Sequence, residues 1–288
     1  MQHLFFRIGV AIAFSPRREA ILCEAKRYMD LFGAELVIIH IGEKKEHKLN
    51  QIEGLLVQCN IDPDETKLIL EEEQEGTETA TQILEICHQY QIDLLIAGAL
   101  QEETILSKYF AGTIARKFLR EAKISILILL EPQKYCKDIT HITLYDHPTP
   151  HPFTPFTNIV EALSWMSYLK RIDFFVPIVR VSWFTKNFGW LYLKPRKGMS
   201  IQRLFINRKL NQKKAQLKEV NPDTKIVIHA AVDHPVERVS EYAHDKKTDL
   251  LVMRAPDLRK TWRNYFSNRD FEKLLSNLPS NVLFLRNK

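Results

Sequence analysis

No stretch of this 288-residue chain stays apolar for the ~18 residues that a membrane-crossing helix needs. The apolar N-terminal stretch is broken by Arg7 and runs straight into a strand pattern, so the chain reads as soluble and cytoplasmic. Cysteine is scarce, and Cys23, Cys59, Cys87 and Cys136 show no metal-ligand spacing. The reading is reduced, partly buried thiols rather than a disulfide framework. No Gly-x-Ser-x-Gly elbow and no Gly-Lys-Thr phosphate loop occurs, which removes two common catalytic classes. Glycine is rare and uneven: of nine, only Gly189 and Gly198 lie beyond residue 112. Acid is missing altogether from Phe174 to Lys218, where eleven lysines and arginines stand among aromatic residues. Without those eleven, 30 basic residues face 35 acidic ones, so a single segment makes an otherwise acidic chain basic.

What the chain does contain is a repeat. Asp93-Leu-Leu-Ile-Ala-Gly98-Ala leads through an amphipathic stretch to the apolar run from Ile124, and Asp249-Leu-Leu-Val-Met-Arg254-Ala leads to Asn281-Val-Leu-Phe-Leu285. The intervals are 31 and 32 residues. Each half alternates short β-rich runs, apolar on both faces, with helical periodicity. The pattern predicts two tandem α/β domains, 1–133 and 138–288, each a five-stranded parallel sheet covered by helices on both faces and packed against the other. Ser15-Pro16 reads as the start of the first helix and Gly33 as its end. The Phe174–Lys218 segment reads as a basic insertion, at about residues 180–218, into the second domain.

Val10-Ala-Ile-Ala-Phe-Ser-Pro16, the helix ending in Gly33-Ala-Glu-Leu36, and Gly98 followed by Gly112-Thr113 together resemble the universal stress protein family. The duplication is similar to its tandem members. The resemblance implies doubly wound domains of the adenine-nucleotide alpha-hydrolase-like kind, frequent dimerisation, and in some members binding of ATP or AMP without strong catalysis. Nucleotide-binding members carry an aspartate at the end of the first strand and a second glycine in the phosphate loop. Here those positions hold Ala13 and Gln101, with one extra residue before Gly112 and with Glu102 and Glu103 close by, repelling phosphate. In the second half Asp146 is placed at the aspartate position, but no glycine remains in a strand-to-helix turn.

The expected function is therefore a non-catalytic, stress-response regulatory protein, a homodimer with a degenerate adenine-nucleotide site in the first half. Its residues are Ala13, Phe14, Ser15, Gly98, Gln101, Gly112 and Thr113, and ATP or AMP is the possible ligand. The alternative is a docking module for a membrane transporter or an acidic protein, using Lys209, Lys213, Lys214 and Lys218 in the basic segment. Helical spacing of Leu204, Ile206, Leu210 and Leu217 disfavours nucleic acid as the partner. Asp146-His147 and His151 read as a solvated loop rather than a metal site, and His40 as a core or turn histidine rather than a base. A slow nucleotide hydrolase ranks last, since spacing assigns no base and no metal ligands.

Overall fold

The structure is a computed structural model that describes residues 4–12, 17–42, 46–99, 117–130, 132–145, 158–159, 162–163, 166, 168–177, 211, 214–215, 218, 222–231, 235–255, 274–275 and 278–286. The first half contains β1 (Arg7–Ala11), α1 (Arg18–Phe32), β2 (Glu35–Ile41), α2 (Glu46–Gln58), β3 (Lys67–Glu71), α3 (Thr79–Gln89), β4 (Leu94–Ala99) and β5 (Ser125–Leu130). The second contains β6 (His141–Tyr145), β7 (Arg171–Pro177), β8 (Lys225–Ala231), α4 (Pro235–Asp245), β9 (Leu250–Arg254) and β10 (Asn281–Leu285). No described helix is long and apolar enough to cross a membrane.

The ten described strands form one sheet in the order β3-β2-β1-β4-β5-β10-β9-β6-β7-β8. Among the described residues every pairing within each half is parallel, and the single antiparallel contact, β5 with β10, joins the halves. Leu127 faces Leu283 there, flanked by Ile126–Phe284 and Ile128–Val282. All six side chains are buried, so one apolar core runs through the junction on each face of the sheet.

Strand register relates the halves residue by residue. Leu94 pairs with Ser125 and Leu250 with Asn281, so the closing strands lie at equal intervals and the one-residue difference expected from sequence disappears. The repeated aspartates have the same task. Asp93 Oδ2 accepts the backbone N–H groups of Phe6 at 2.7 Å and Arg7 at 3.2 Å, and Asp249 Oδ2 accepts those of Thr140 at 2.8 Å and His141 at 2.9 Å. Each aspartate satisfies donors left open at the start of the neighbouring strand. The junction is reciprocal too: Leu130 N–H donates to Asn281 Oδ1 at 2.8 Å, and Arg286 N–H donates to Ser125 Oγ at 3.1 Å. Ser125 matches Asn281 and Leu130 matches Arg286, so the two bonds are one contact repeated about a local two-fold axis.

α1 buries Ala20, Ile21, Leu22, Ala25, Tyr28 and Phe32 against the sheet. It stops at Gly33, whose φ of 59° and ψ of 40° are left-handed and whose N–H donates to the Met29 carbonyl oxygen. Its start is later than Ser15-Pro16 suggests. Arg17 is the N-cap, without a side-chain cap, and its carbonyl oxygen accepts the Ile21 N–H at 3.0 Å.

Candidate functional site

In a parallel sheet of order 3-2-1-4-5 the chain leaves β1 in one direction and β4 in the other, which opens a crevice at their C-terminal ends. In the first half the C-terminal ends of β1, β2 and β4 bring Ile12, His40, Gly42 and Gly98 to this edge of the sheet. Ile12 N–H donates to the Ile39 carbonyl oxygen at 2.9 Å, prolonging the β1–β2 contact past Ala11. The buried His40 then donates from Nδ1 to the Ile12 carbonyl oxygen at 3.0 Å, which ties Ile12 to the end of β2. Burial holds the His40 pKa below the ordinary histidine value, against the Ile12 hydrogen bond that favours the charged ring. A neutral ring with its proton on Nδ1 holds Ile12 against β2. Gly42, at φ 150°, passes close beneath it, and a Cβ there would lie 3.3 Å from His40 Nε2.

Gly98 is the next-to-last residue of β4 and lies beside Leu129 of β5. A Cβ at this position would lie 2.8 Å from Ile21 Cδ1 on α1, so packing of the first helix against the strand already accounts for the glycine. Of the expected nucleotide-binding residues, the structure places Gly98 at the crevice, while Ala13, Phe14, Ser15, Gln101, Gly112 and Thr113 lie outside the described residues. Ile8 pairs with Leu94 and Ile142 with Leu250, so Ile142 takes in the second half the place of Ile8 in the first. Asp146 itself is outside the described residues, as are Lys209 and Lys213. Lys214 and Lys218 are in helical conformation, and Lys218 Nζ donates to the Pro222 carbonyl oxygen at 2.6 Å.

The second half holds a polar cluster that sequence reasoning missed. Asp173, on β7, has no solvent exposure. Its Oδ2 accepts from His141 Nε2 at 2.5 Å and Arg171 Nε at 2.6 Å; its Oδ1 accepts from His229 Nε2 at 2.7 Å and Arg171 Nη2 at 3.1 Å. Arg171 Nη2 also donates to the Tyr242 hydroxyl at 2.8 Å. The His229 ring stacks on Phe175 with centroids 4.6 Å apart, and Tyr242 closes the group from α4. Burial by itself would push the Asp173 carboxyl up, but the donors from His141, Arg171 and His229 outweigh it and hold the group well below the usual carboxylate range. The Tyr242 hydroxyl is pushed up by burial and by the Asp173 charge. Four donors fill the roughly four acceptor positions of a carboxylate. Asp173 is therefore a structural anion with no lone pair open for proton abstraction or for a metal.

The same places in the first half are apolar. Register matches Asp173 with Val37 and His229 with Ile69, and helix position matches Tyr242 with Ile86. Thr143 and Thr248, whose hydroxyls meet at 2.8 Å, match Gly9 and Ile92, where a Cβ on the glycine would lie 2.7 Å from Ile92 Cδ1. The signal available in the sequence was one aspartate inside the apolar run Ile172-Asp-Phe-Phe175. No group of metal-ligating side chains occurs among the described residues.

Two five-stranded, doubly wound halves joined edge to edge define the universal stress protein fold in tandem form. The chain is similar over its whole length to the solved structure of a universal stress protein from Archaeoglobus fulgidus, with 8% identity, all of both chains covered and a TM-score of 0.63. It is also similar to a universal-stress-type protein from Pseudomonas aeruginosa UCBPP-PA14, at 13% identity over 98% of this chain and 93% of that one, with a TM-score of 0.62. A functionally unknown protein, PA1789, from Pseudomonas aeruginosa PAO1 gives the same identity and TM-score over 98% and 92%. No family model and no curated protein matches the sequence.

Proposed function

We propose that this chain is a non-catalytic regulatory protein of universal-stress type, acting in the stress response, whose first half keeps a weakened crevice for adenine nucleotide. The observation that carries the reading is the asymmetry between halves. The first has an apolar core and a crevice bounded by His40, Gly42 and Gly98. In the second, Arg254 stands at the Gly98 position and a saturated Asp173 cluster replaces apolar residues between β6, β7, β8 and α4. Saturation of Asp173 removes the one buried carboxylate beside two imidazoles from acid–base work, which supports a binding role over a catalytic one. The ligand class is ATP or AMP, entering at the ends of β1 and β4.

Amide chemical shifts recorded during titration with ATP and AMP test this reading. Shifts confined to the first half, at Ile12, Gly42 and Gly98, and saturating only at high nucleotide concentration, are expected. Shifts centred on Arg254 and Tyr145 would overturn it. A second reading, docking to an acidic protein or a membrane transporter, is favoured by the eleven positive charges of the acid-free segment. Neutralising Lys209, Lys213, Lys214 and Lys218 together should then abolish recovery on acidic vesicles; unchanged recovery counts against it.

A further inference from the structure

Three of the four cysteines, distant in sequence, come near one another. Cys23 lies in α1, Cys59 just past the end of α2, and Cys136 in the link between the halves. Cys59 is buried, and its Sγ–H donates to the Glu19 carbonyl oxygen at 3.4 Å. Glu19 is one helical turn before Cys23, and a helical side chain leans back over the preceding turn. Cys23 thus leans toward the point that Cys59 touches, and both pack into the same core cluster. The link is tied to α1 by the Lys134–Glu19 ion pair at 2.7 Å and by Arg27 Nη1 donating to the Lys137 carbonyl oxygen at 2.5 Å. Cys87 belongs to the cluster on the opposite face.

We propose that Cys23 and Cys59 are a reversible thiol–disulfide pair that, on exposure to hydroperoxide, staples α1 to the end of α2. Cys23 is half-buried and Cys59 buried, so the oxidant reaches Cys23 first. Burial, with Cys23 close beside it, pushes the Cys59 thiol up, so Cys59 gives up its proton only as it attacks. The Cys23 sulfur attacks one peroxide oxygen, the O–O bond breaks, and the leaving hydroxide takes the Cys23 proton to become water. The Cys59 sulfur then attacks the Cys23 sulfur of the sulfenic acid, the S–S bond forms, and the departing hydroxide leaves as water with the Cys59 proton. Two thiols lose two electrons and one peroxide becomes two waters. The staple would fix the helix that borders the first-half crevice, independently of what the crevice binds.

The full-length protein, treated with a few equivalents of hydrogen peroxide, blocked with N-ethylmaleimide and digested without reduction, answers the question by peptide mass spectrometry. A linked Cys23–Cys59 peptide is expected, lost with dithiothreitol, retained in Cys87→Ser and Cys136→Ser and absent from Cys59→Ala. The urea midpoint of the oxidised protein should rise and return on reduction. Recovery of Cys23 linked to Cys136, or of Cys23 and Cys59 both carrying maleimide after oxidation, overturns the proposal; the wild-type map decides even where a variant folds poorly.

Discussion

At the scale of single residues, the second half differs from the first by exchanging apolar contacts for a charge that is fully spoken for. Removing one member of a buried ionic group leaves the others unpaired, so Asp173→Ala should cost about 3–5 kcal/mol of unfolding free energy in urea titration. The sign of the pH effect follows from the depressed Asp173 pKa. Its contribution is complete above the unfolded value of about 4 and is lost as pH falls through the lower folded value, so Asp173→Asn should flatten the acid limb of the stability curve. His40 acts earlier on the scale. Its lowered pKa means that the folded state resists protonation, and stability should decline as pH drops below about 6.5, a decline absent from His40→Gln. Gly98→Ala should cost on the order of 1 kcal/mol by pressing on Ile21, and Ile21→Val in the same chain should recover most of it.

Among elements, what could be read from the sequence and what could not divide along a physical line. Strands β1, β2, β4, β5 and β9 were legible because they are buried on both faces and their apolar runs are bounded by turn residues or by Asp93 and Asp249. The repeated Asp-Leu-Leu motif was visible as a pattern, but its reason was not, since the donors it accepts lie 86–109 residues away. The Asp173 cluster was invisible for the same reason. Its members come from β6, β7, β8 and α4, and local periodicity carries no trace of a partner in another element. The proposed cysteine pair likewise depends on the packing of α1 on α2. The helix start expected at Ser15 lies two residues before the observed N-cap, Arg17, whose carbonyl oxygen accepts from Ile21 N–H. Of the nucleotide site, Gly98 was legible as a glycine required at the end of β4, but its packing against Ile21 appears only in three dimensions.

Considered as a whole molecule, the chain is a pseudo-dimer built from one polypeptide. The edge strands that a single half would leave open, β5 and β10, cover each other, which removes two unpaired edges from solvent. The homodimer expected from the sequence would therefore have to use some other surface. The junction sits in the middle of a continuous ten-stranded core, so the amides of Ile126, Ile128, Val282 and Phe284 should be among the slowest to exchange with deuterium. Loss of one of the reciprocal bonds, through Asn281→Ala, should cost ~1 kcal/mol.

The proposed function rests at this scale on the unequal halves, and the direct test is to denature the purified protein, identify released small molecules by mass spectrometry, and follow phosphate release from added ATP. The account predicts far less than one adenine nucleotide per chain and no sustained phosphate release. A full equivalent of tightly held nucleotide, or steady turnover of ATP, would contradict it.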